Sequence, residues 1–519
     1  MSESGATKWI IAGTVVLASM IELIDTSIVN VALTQMMGNL GATLDEIAWV
    51  VTAYVVGNVI VVPMTGWLSA YFGRRNYFAA SIALFTVASV LCGHASSLWE
   101  LVFFRFVQGL GGGALLSTSQ AILVETFPPA QIGLATALFG MGVVTGPTLG
   151  PVLGGWITDN LSWPWIFYVN IPIGIVAALL TLTFIQNSRY EHNTSVVDWW
   201  GIGLLAAGVG SLQVVLERGE REDWFSSRFI VTLAIVAAVG LVAFVWRELT
   251  TAHPVVNLRV LRNRALATGT LLTFVLGFGL FGSVFLFPVF AQTLLGFTAM
   301  QTGMTLLPSG IMTALMMPFV GRLVRRHNAA PIMVAVGFTL FAVFCWMVSH
   351  STLQSGEMDF FNPLLIRGLG LSLVFVPITT RALRSLRGTE IAQGAGLTNM
   401  MRQLGGSVGV AVMATYVQQR GWVHREYLLE HLSGSDPAVR ARLDAMIHGF
   451  MAHGVTFFDA QAKAYAALEA TLSRQTFLLS CMDAFRTVGV GFLLCLPLLL
   501  LFVERRKQAE AEPVRVHLE

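Results

Sequence analysis

The chain has 519 residues, 55% of them hydrophobic and only 12% charged, with a mean hydropathy of +0.70 and a net charge of +2. Soluble globular domains carry about 25% charged residues, so this composition excludes a soluble enzyme or nucleic-acid-binding module and implies a polytopic helical membrane protein. The four cysteines (Cys92, Cys345, Cys481 and Cys495) all fall in apolar runs, a pattern that suggests neither a disulfide framework nor a metal cluster.

Fourteen apolar runs are long enough to cross a bilayer, numbered here as spans 1 to 14: residues 9–33, 47–69, 77–95, 98–123, 132–157, 164–186, 199–217, 228–246, 266–291, 299–321, 330–349, 360–380, 391–417 and 477–503. An even number puts both termini on one side. Alternate loops hold Arg74 and Arg75; Arg189; Arg247, Arg259, Arg262 and Arg264; Arg322, Arg325 and Arg326; Arg381, Arg384 and Arg387; and Arg505, Arg506 and Lys507. The positive-inside rule makes that side, and both termini, cytoplasmic. Arg218, Arg221 and Arg228, between spans 7 and 8, are the exception on the other side. No small-residue cleavage site follows span 1, which therefore reads as retained.

Span 1 carries Glu22 and Asp25 on one helix face, about 4.5 Å apart along the axis. Ionisable groups at such a depth mark an ion or substrate path, and the apolar pattern continues past them from Ile28 to Leu33. In span 4, Arg105, Gln108 and Gly112 follow one face, with Arg105 about 10 Å below the outer surface, close to the depth of Asp25. An arginine there can stabilise a carboxylate in low dielectric. Glu22, Asp25 and Arg105 are the proton-coupling candidates. Span 5 places Gly142, Gly146, Pro147, Gly150, Pro151, Gly154 and Gly155 in one short run. Glycine admits close helix approach and proline bends a helix, so the run reads either as a hinge or as a kinked packing helix.

An offset of 259 residues relates Gly109-Leu110-Gly111 to Gly368-Leu369-Gly370, and Ile132, Leu138, Met141, Gly146 and Gly150 to Ile391, Leu397, Met400, Gly405 and Gly409. Pro63, leading to Arg74-Arg75-Asn76, likewise recurs as Pro318, leading to Arg325-Arg326-His327-Asn328. The expected organisation is a six-helix bundle over 1–190, an inserted hairpin of spans 7 and 8 over 191–250, and a second six-helix bundle over 251–519. A polar, acid-bearing segment, about 418–475, interrupts the second bundle outside the cytoplasm, and its apolar spacing suggests that part of it is helical.

Arg367 and Arg402 lie inside spans 12 and 13, where an unpaired guanidinium is costly. A structural role suits Arg402; for Arg367 a carboxylate partner, an anionic substrate group and helix carbonyls all stay open. The candidate cavity residues are Gln108, Arg367, Asn399, Phe281 from the aromatic stripe of span 9, and Met312 from the methionine cluster of span 10. Such stripes are commonly packing or lipid-facing surface, and otherwise line an adaptable apolar cavity. His94 and His350 close their spans at the outer interface. The Gly111-Gly112-Gly113 run lacks a following Lys-Ser/Thr, so ATP coupling has no support.

Five stretches together carry a family likeness: Leu23 to Leu33, Gly66 to Arg75 after span 2, Arg105 to Gly112, the Gly-Pro run of span 5, and Trp163 to Gly174 at the start of span 6. Over about its whole length the chain resembles the major facilitator superfamily, specifically the fourteen-span drug:proton antiporters of the EmrB/QacA subfamily. The resemblance implies an all-α membrane protein with two six-helix bundles plus two inserted helices. It links the span 5 run (Gly142, Gly146, Pro147, Gly150) with antiport, and Gly66, Gly73, Arg74 and Arg75 with a cytoplasmic gating loop. Ala70 stands where the superfamily usually has an Asp, so gating cannot rest on that carboxylate, and Thr34 replaces a common Pro. The expected function is a proton-coupled multidrug efflux antiporter of the bacterial inner membrane, exporting lipophilic compounds by alternating access. It is expected to need no cofactor, because the proton gradient drives it. In double-membrane bacteria the resemblance implies a periplasmic membrane-fusion adaptor and an outer-membrane channel as partners. The alternatives are a dedicated exporter of one metabolite, fatty acid or siderophore, or a membrane-embedded enzyme or sensor.

Overall fold

The computed structural model describes residues 5–187, 197–324, 329–432 and 436–502. Arg189, the repeat end Arg325-Arg326-His327-Asn328, and Arg505, Arg506 and Lys507 lie outside the described residues. Among the described residues there is no strand, and thirteen helices are long and apolar enough to cross a membrane. The expected span 13 is present as the helix Glu390–Glu430 but is too polar to count among them. Its buried positions include Thr398, Asn399, Arg402 and Ser407. Neighbouring helices enclose this helix, so protein partners rather than lipid set the polarity it can carry.

Local chemistry explains the helix ends and breaks. Span 1 is one helix, Gly5–Leu40, in which Thr14, Ser19, Thr26 and Ser27 return their hydroxyls to carbonyls one turn back. No side-chain donor of that set is left facing an apolar neighbour. Span 2 (Asp45–Phe72) breaks at a 3-10 turn, Val62–Met64, around Pro63, which has no N–H to give to the helix ladder. Span 6 breaks between Trp165–Tyr168 and Asn170–Phe184, just before Pro172, for the same reason. Gly73, at φ +79, separates spans 2 and 3 in a backbone conformation that other residues rarely adopt.

The residues related by the 259-residue offset occupy matching places. Span 5 (Ile132–Asn160) packs on span 1, and a methyl group at Gly146 would lie 2.7 Å from Leu23 Cβ. The corresponding Gly405 of span 13 lies against the Phe274 carbonyl of span 9 (Arg264–Leu294). Gly109 of span 4 (Leu98–Thr126) meets the Tyr54 carbonyl of span 2. Gly368 of span 12 (Phe361–Arg384) meets the Ser309 carbonyl of span 10 (Ala299–Leu323) in the same way.

Spans 7 (Trp199–Arg218) and 8 (Arg228–Thr250) form a hairpin lying on span 2 and span 13. Asp198 clamps its base: it caps span 7 by accepting from the Gly201 N–H at 3.1 Å, and accepts from Arg247 Nε at 3.0 Å and Nη2 at 3.2 Å. Burial raises this carboxyl, but the hydrogen bonds from Arg247 and Gly201 outweigh it and hold the group below its ordinary value. Arg218, exceptional in the charge pattern, is buried; it donates to the Asp45 carbonyl at 2.7 Å and lies 5.0 Å from the Trp49 ring.

The 418–475 segment is more ordered than a loop with partial helix. The span 13 helix runs on to Glu430, Pro437–Ala452 forms a separate helix, and the last long helix, Phe457–Leu494, begins well before the expected start of span 14. Arg420 and His424 meet Asp483 at 2.6 and 2.8 Å, and Arg425 meets Glu469 at 2.5 Å, tying the two extensions together.

Candidate transport site

Asp25 and Arg105 come together as their depths implied, with no exposed surface on either side chain. Arg105 Nη1 donates to Asp25 Oδ2 at 2.6 Å and to Gln108 Oε1 at 2.7 Å, while its Nε donates to the Val50 carbonyl at 3.2 Å. Asp25 Oδ1 accepts from Gln108 Nε2 at 3.0 Å and from Asn170 Nδ2 at 2.8 Å. Asn170 in turn donates to Ser89 Oγ at 3.1 Å. The Tyr54 ring covers the guanidinium at 4.2 Å. Spans 1, 2, 3, 4 and 6 thus meet at one enclosed polar knot in which both Asp25 oxygens are bonded, while Arg105 Nη2 has no hydrogen-bond partner among the described residues.

Glu22, one turn away, has a different setting. It lines a cavity of about 170 Å³ whose walls include Tyr54, Asn58, Glu217, Phe281 and Arg402. Asn58 Nδ2 donates to Glu22 Oε1 at 2.8 Å, and Glu22 Oε2 has no hydrogen-bond partner among the described residues. Opposite it, Arg402 Nη2 donates to Asn399 Oδ1 at 2.8 Å, and Nη1 has no hydrogen-bond partner among the described residues. Asn399 Nδ2 donates across to Gln120 Oε1 of span 4 at 2.7 Å, so this amide joins the early and late spans beside the cavity.

The tentative cavity residues therefore divide. Phe281 lines the cavity, and Asn399 supports it through Arg402. Gln108 does not line it, because both ends of its amide are bound in the Asp25 knot. Met312 is half-buried against Gly368 of span 12 and does not line the cavity. Arg367 lines a separate void of about 20 Å³ with Pro147 and Thr148 of span 5, donating to Ser309 Oγ at 3.3 Å. Among the described residues no carboxylate lies within 4.0 Å of it.

Along span 5, Gly142, Gly146 and Gly150 face Met20, Leu23 and Ser27 of span 1, while Thr148 and Val152 face Gly310 and Gly303 of span 10. Pro147 lies inside this helix. At the cytoplasmic end, a methyl group at Gly66 would lie 2.9 Å from Gln393 Cγ, so the end of span 2 rests on the start of span 13. Arg74 pairs with Glu125 at 2.5 Å, and Arg75 reaches the Leu182 carbonyl.

Several contributors were not singled out from the sequence: Tyr54 and Asn58 in span 2, Ser89 in span 3, Gln120 in span 4, and Glu217 in span 7. One amide or hydroxyl barely changes the hydropathy of a span; the acid of Glu217, at the end of span 7, is the one signal that could have been used.

The Major Facilitator Superfamily family model matches residues 15–410. The chain belongs to the major facilitator superfamily. Within the superfamily it is 35% identical over 478 residues to the multidrug export protein EmrB of Haemophilus influenzae, covering 92% of each chain. It is also 35% identical over 489 residues to the fatty acid resistance protein FarB of Neisseria gonorrhoeae, covering 93% of this chain and 94% of FarB. The fold is similar to that of the human organic anion transporter TETRAN, with a TM-score of 0.61 at 14% identity, over 95% of this chain and 99% of that one. The protein is a multi-pass membrane transporter of the major facilitator fold.

Proposed function

We propose that the protein is a proton-coupled multidrug efflux antiporter of the bacterial inner membrane, moving lipophilic compounds outward by alternating access. Relatives named for multidrug export, similar over nearly the full chain, support export. The observation that carries the coupling is the pair of buried, incompletely bonded groups, Glu22 Oε2 and Arg402 Nη1, facing one cavity from spans 1 and 13. A carboxylate with a free oxygen can take either a proton or a cationic substrate group, and the two compete, which is antiport in physical terms. Asp25, fully enclosed, exchanges a proton only when spans 1, 4 and 6 part, so it couples to conformation rather than to substrate contact. Span 5 lies between spans 1 and 10, and its glycines and Pro147 let it rock. The glycine-mediated contact of Gly66 with span 13 closes the cytoplasmic side, with Gly73, Arg74 and Arg75 holding the loop. The extension beyond spans 13 and 14 is the proposed seat for a periplasmic adaptor leading to an outer-membrane channel.

A second substrate class, the fatty acids, is favoured by the FarB relative and by the cationic wall at Arg402. The test is a proteoliposome panel with an imposed pH gradient, comparing ethidium, dodecanoate and glucose. Gradient-dependent movement of ethidium or dodecanoate, without glucose movement, is expected. Glucose accumulation, or ethidium movement that needs ATP and ignores the gradient, overturns the reading.

A further inference from the structure

A second, larger cavity of about 660 Å³ lies between the outer ends of spans 9, 13 and 14. Its size suits a drug-sized molecule, for which pockets run about 300–1,000 Å³. It is stacked on the central cavity along shared helix faces. On span 13, Gln403, Ser407 and Val410 line the central cavity, and Ala414, Val417 and Gly421 line the outer one. Steps of three and four residues make this one stripe, about 27 Å long. Span 9 does the same: Phe281 lines the inner space, and Phe285 and Val289, on the same face, line the outer. The inserted hairpin follows suit, with Glu217 in the inner wall and Glu220, three residues on, in the outer.

The chemistry of the outer space is apolar with a charged rim. Arg425 is neutralised by Glu469. Arg474 donates to the Leu294 carbonyl at 3.1 Å, and among the described residues no carboxylate lies within 4.0 Å of it. Glu220 stands at the same rim without an ion pair among the described residues. Such a site suits an amphipathic molecule with a large apolar body and one charged head group.

We propose that the outer cavity is a second binding station for exported amphiphiles, reached from the central cavity along the common face of spans 9 and 13, with Glu220 of the inserted hairpin at its rim. The direction of travel rests on the export reading; binding at the station does not. The same amphipathic chemistry belongs to a bilayer lipid, and the test separates the two. In a variant with its four native cysteines replaced, Gln418→Cys puts a thiol in the outer wall, to be labelled by an impermeant maleimide in liposomes and in detergent. Ethidium or dodecanoate is expected to slow labelling about tenfold in both settings, as occupancy well above Kd requires. Labelling unchanged by either compound overturns the proposal. So does labelling that is suppressed in liposomes, restored in detergent and indifferent to both compounds, which assigns the space to lipid. Ala414→Trp, at the junction of the two cavities, is expected to slow gradient-driven ethidium efflux about tenfold, equivalent to about 1.4 kcal/mol, while Ala414→Val retains it. Efflux at the wild-type rate through the tryptophan variant also overturns the route. If wild-type vesicles move no ethidium, the export reading fails, and thiol protection still decides the station.

Discussion

Asp25 and Glu22, one helical turn apart, should fail in different ways when substituted. Asp25→Ala removes the only carboxylate paired with Arg105 among the described residues and three accepted hydrogen bonds, leaving a fully enclosed guanidinium without its counter-ion. Breaking a buried pair from one side costs about 3–5 kcal/mol, a large share of a total stability of about 5–15 kcal/mol. Asp25→Asn is only partly conservative. Whichever way its amide turns, the NH2 meets a donor: Arg105 on one side, Gln108 and Asn170 on the other. Gln108 cannot turn to relieve this without losing its own bond from Arg105. Glu22→Gln, by contrast, keeps an oxygen for Asn58 and removes only the charge. Reversible denaturation of the purified variants in detergent, beside gradient-driven efflux in proteoliposomes, reads both effects. Asp25→Ala is expected to be strongly destabilised and inactive, and Glu22→Gln to be as stable as wild type yet uncoupled. Adding Arg105→Met to Asp25→Ala should recover stability, since no unpaired charge is left behind. Equal stability of Asp25→Ala and wild type, or no recovery in the double variant, would refute the closed-knot account.

Three further outcomes follow from other regions. Gly146→Leu drives a side chain into Leu23, costing about 1–3 kcal/mol of overpacking. It should cut efflux while equilibrium ethidium binding survives, and transport at the wild-type rate would dismiss span 5 as the moving element. Deleting residues 425–470 should leave membrane insertion intact but abolish drug resistance in cells, and unchanged resistance would make the extension passive. At Asp198, a carboxyl held below its ordinary value contributes stability that is present above the unfolded carboxylate range and is lost as pH falls through the folded value. Asp198→Asn should therefore flatten the acid side of the stability profile, as measured by thermal unfolding across pH.

Much of the architecture was legible because lipid imposes long apolar runs, and thirteen of the expected spans appear as such helices. The meeting of Asp25 and Arg105 was legible too, since two buried charges at one depth have few other partners. The division of labour between Glu22 and Asp25 was not, because helical spacing puts both on one face and cannot register the Tyr54 ring between the knot and the cavity. Gln108 was misplaced for a related reason: an amide beside an arginine reads equally well as a substrate ligand or as a brace. The hairpin's share in the cavity, through Glu217, depends on which groove spans 7 and 8 occupy, and no local pattern specifies that.

The polarity of span 13 also bears on how the chain is made. An arginine at a helix centre costs about 2.5–3.5 kcal/mol on insertion scales, and Asn399 and Ser407 add to the burden. As a free segment leaving the ribosome, this helix has little reason to partition into lipid. By then, however, span 9 and Gln120 of span 4 already exist, offering a groove and a waiting hydrogen bond. Span 13 is thus threaded by its neighbours rather than by its own hydrophobicity. Bulky residues at Gly405 or Gly409, where it seats against Phe274 and Phe278, should then surface as misrouted, degraded polypeptide rather than as slow pumps.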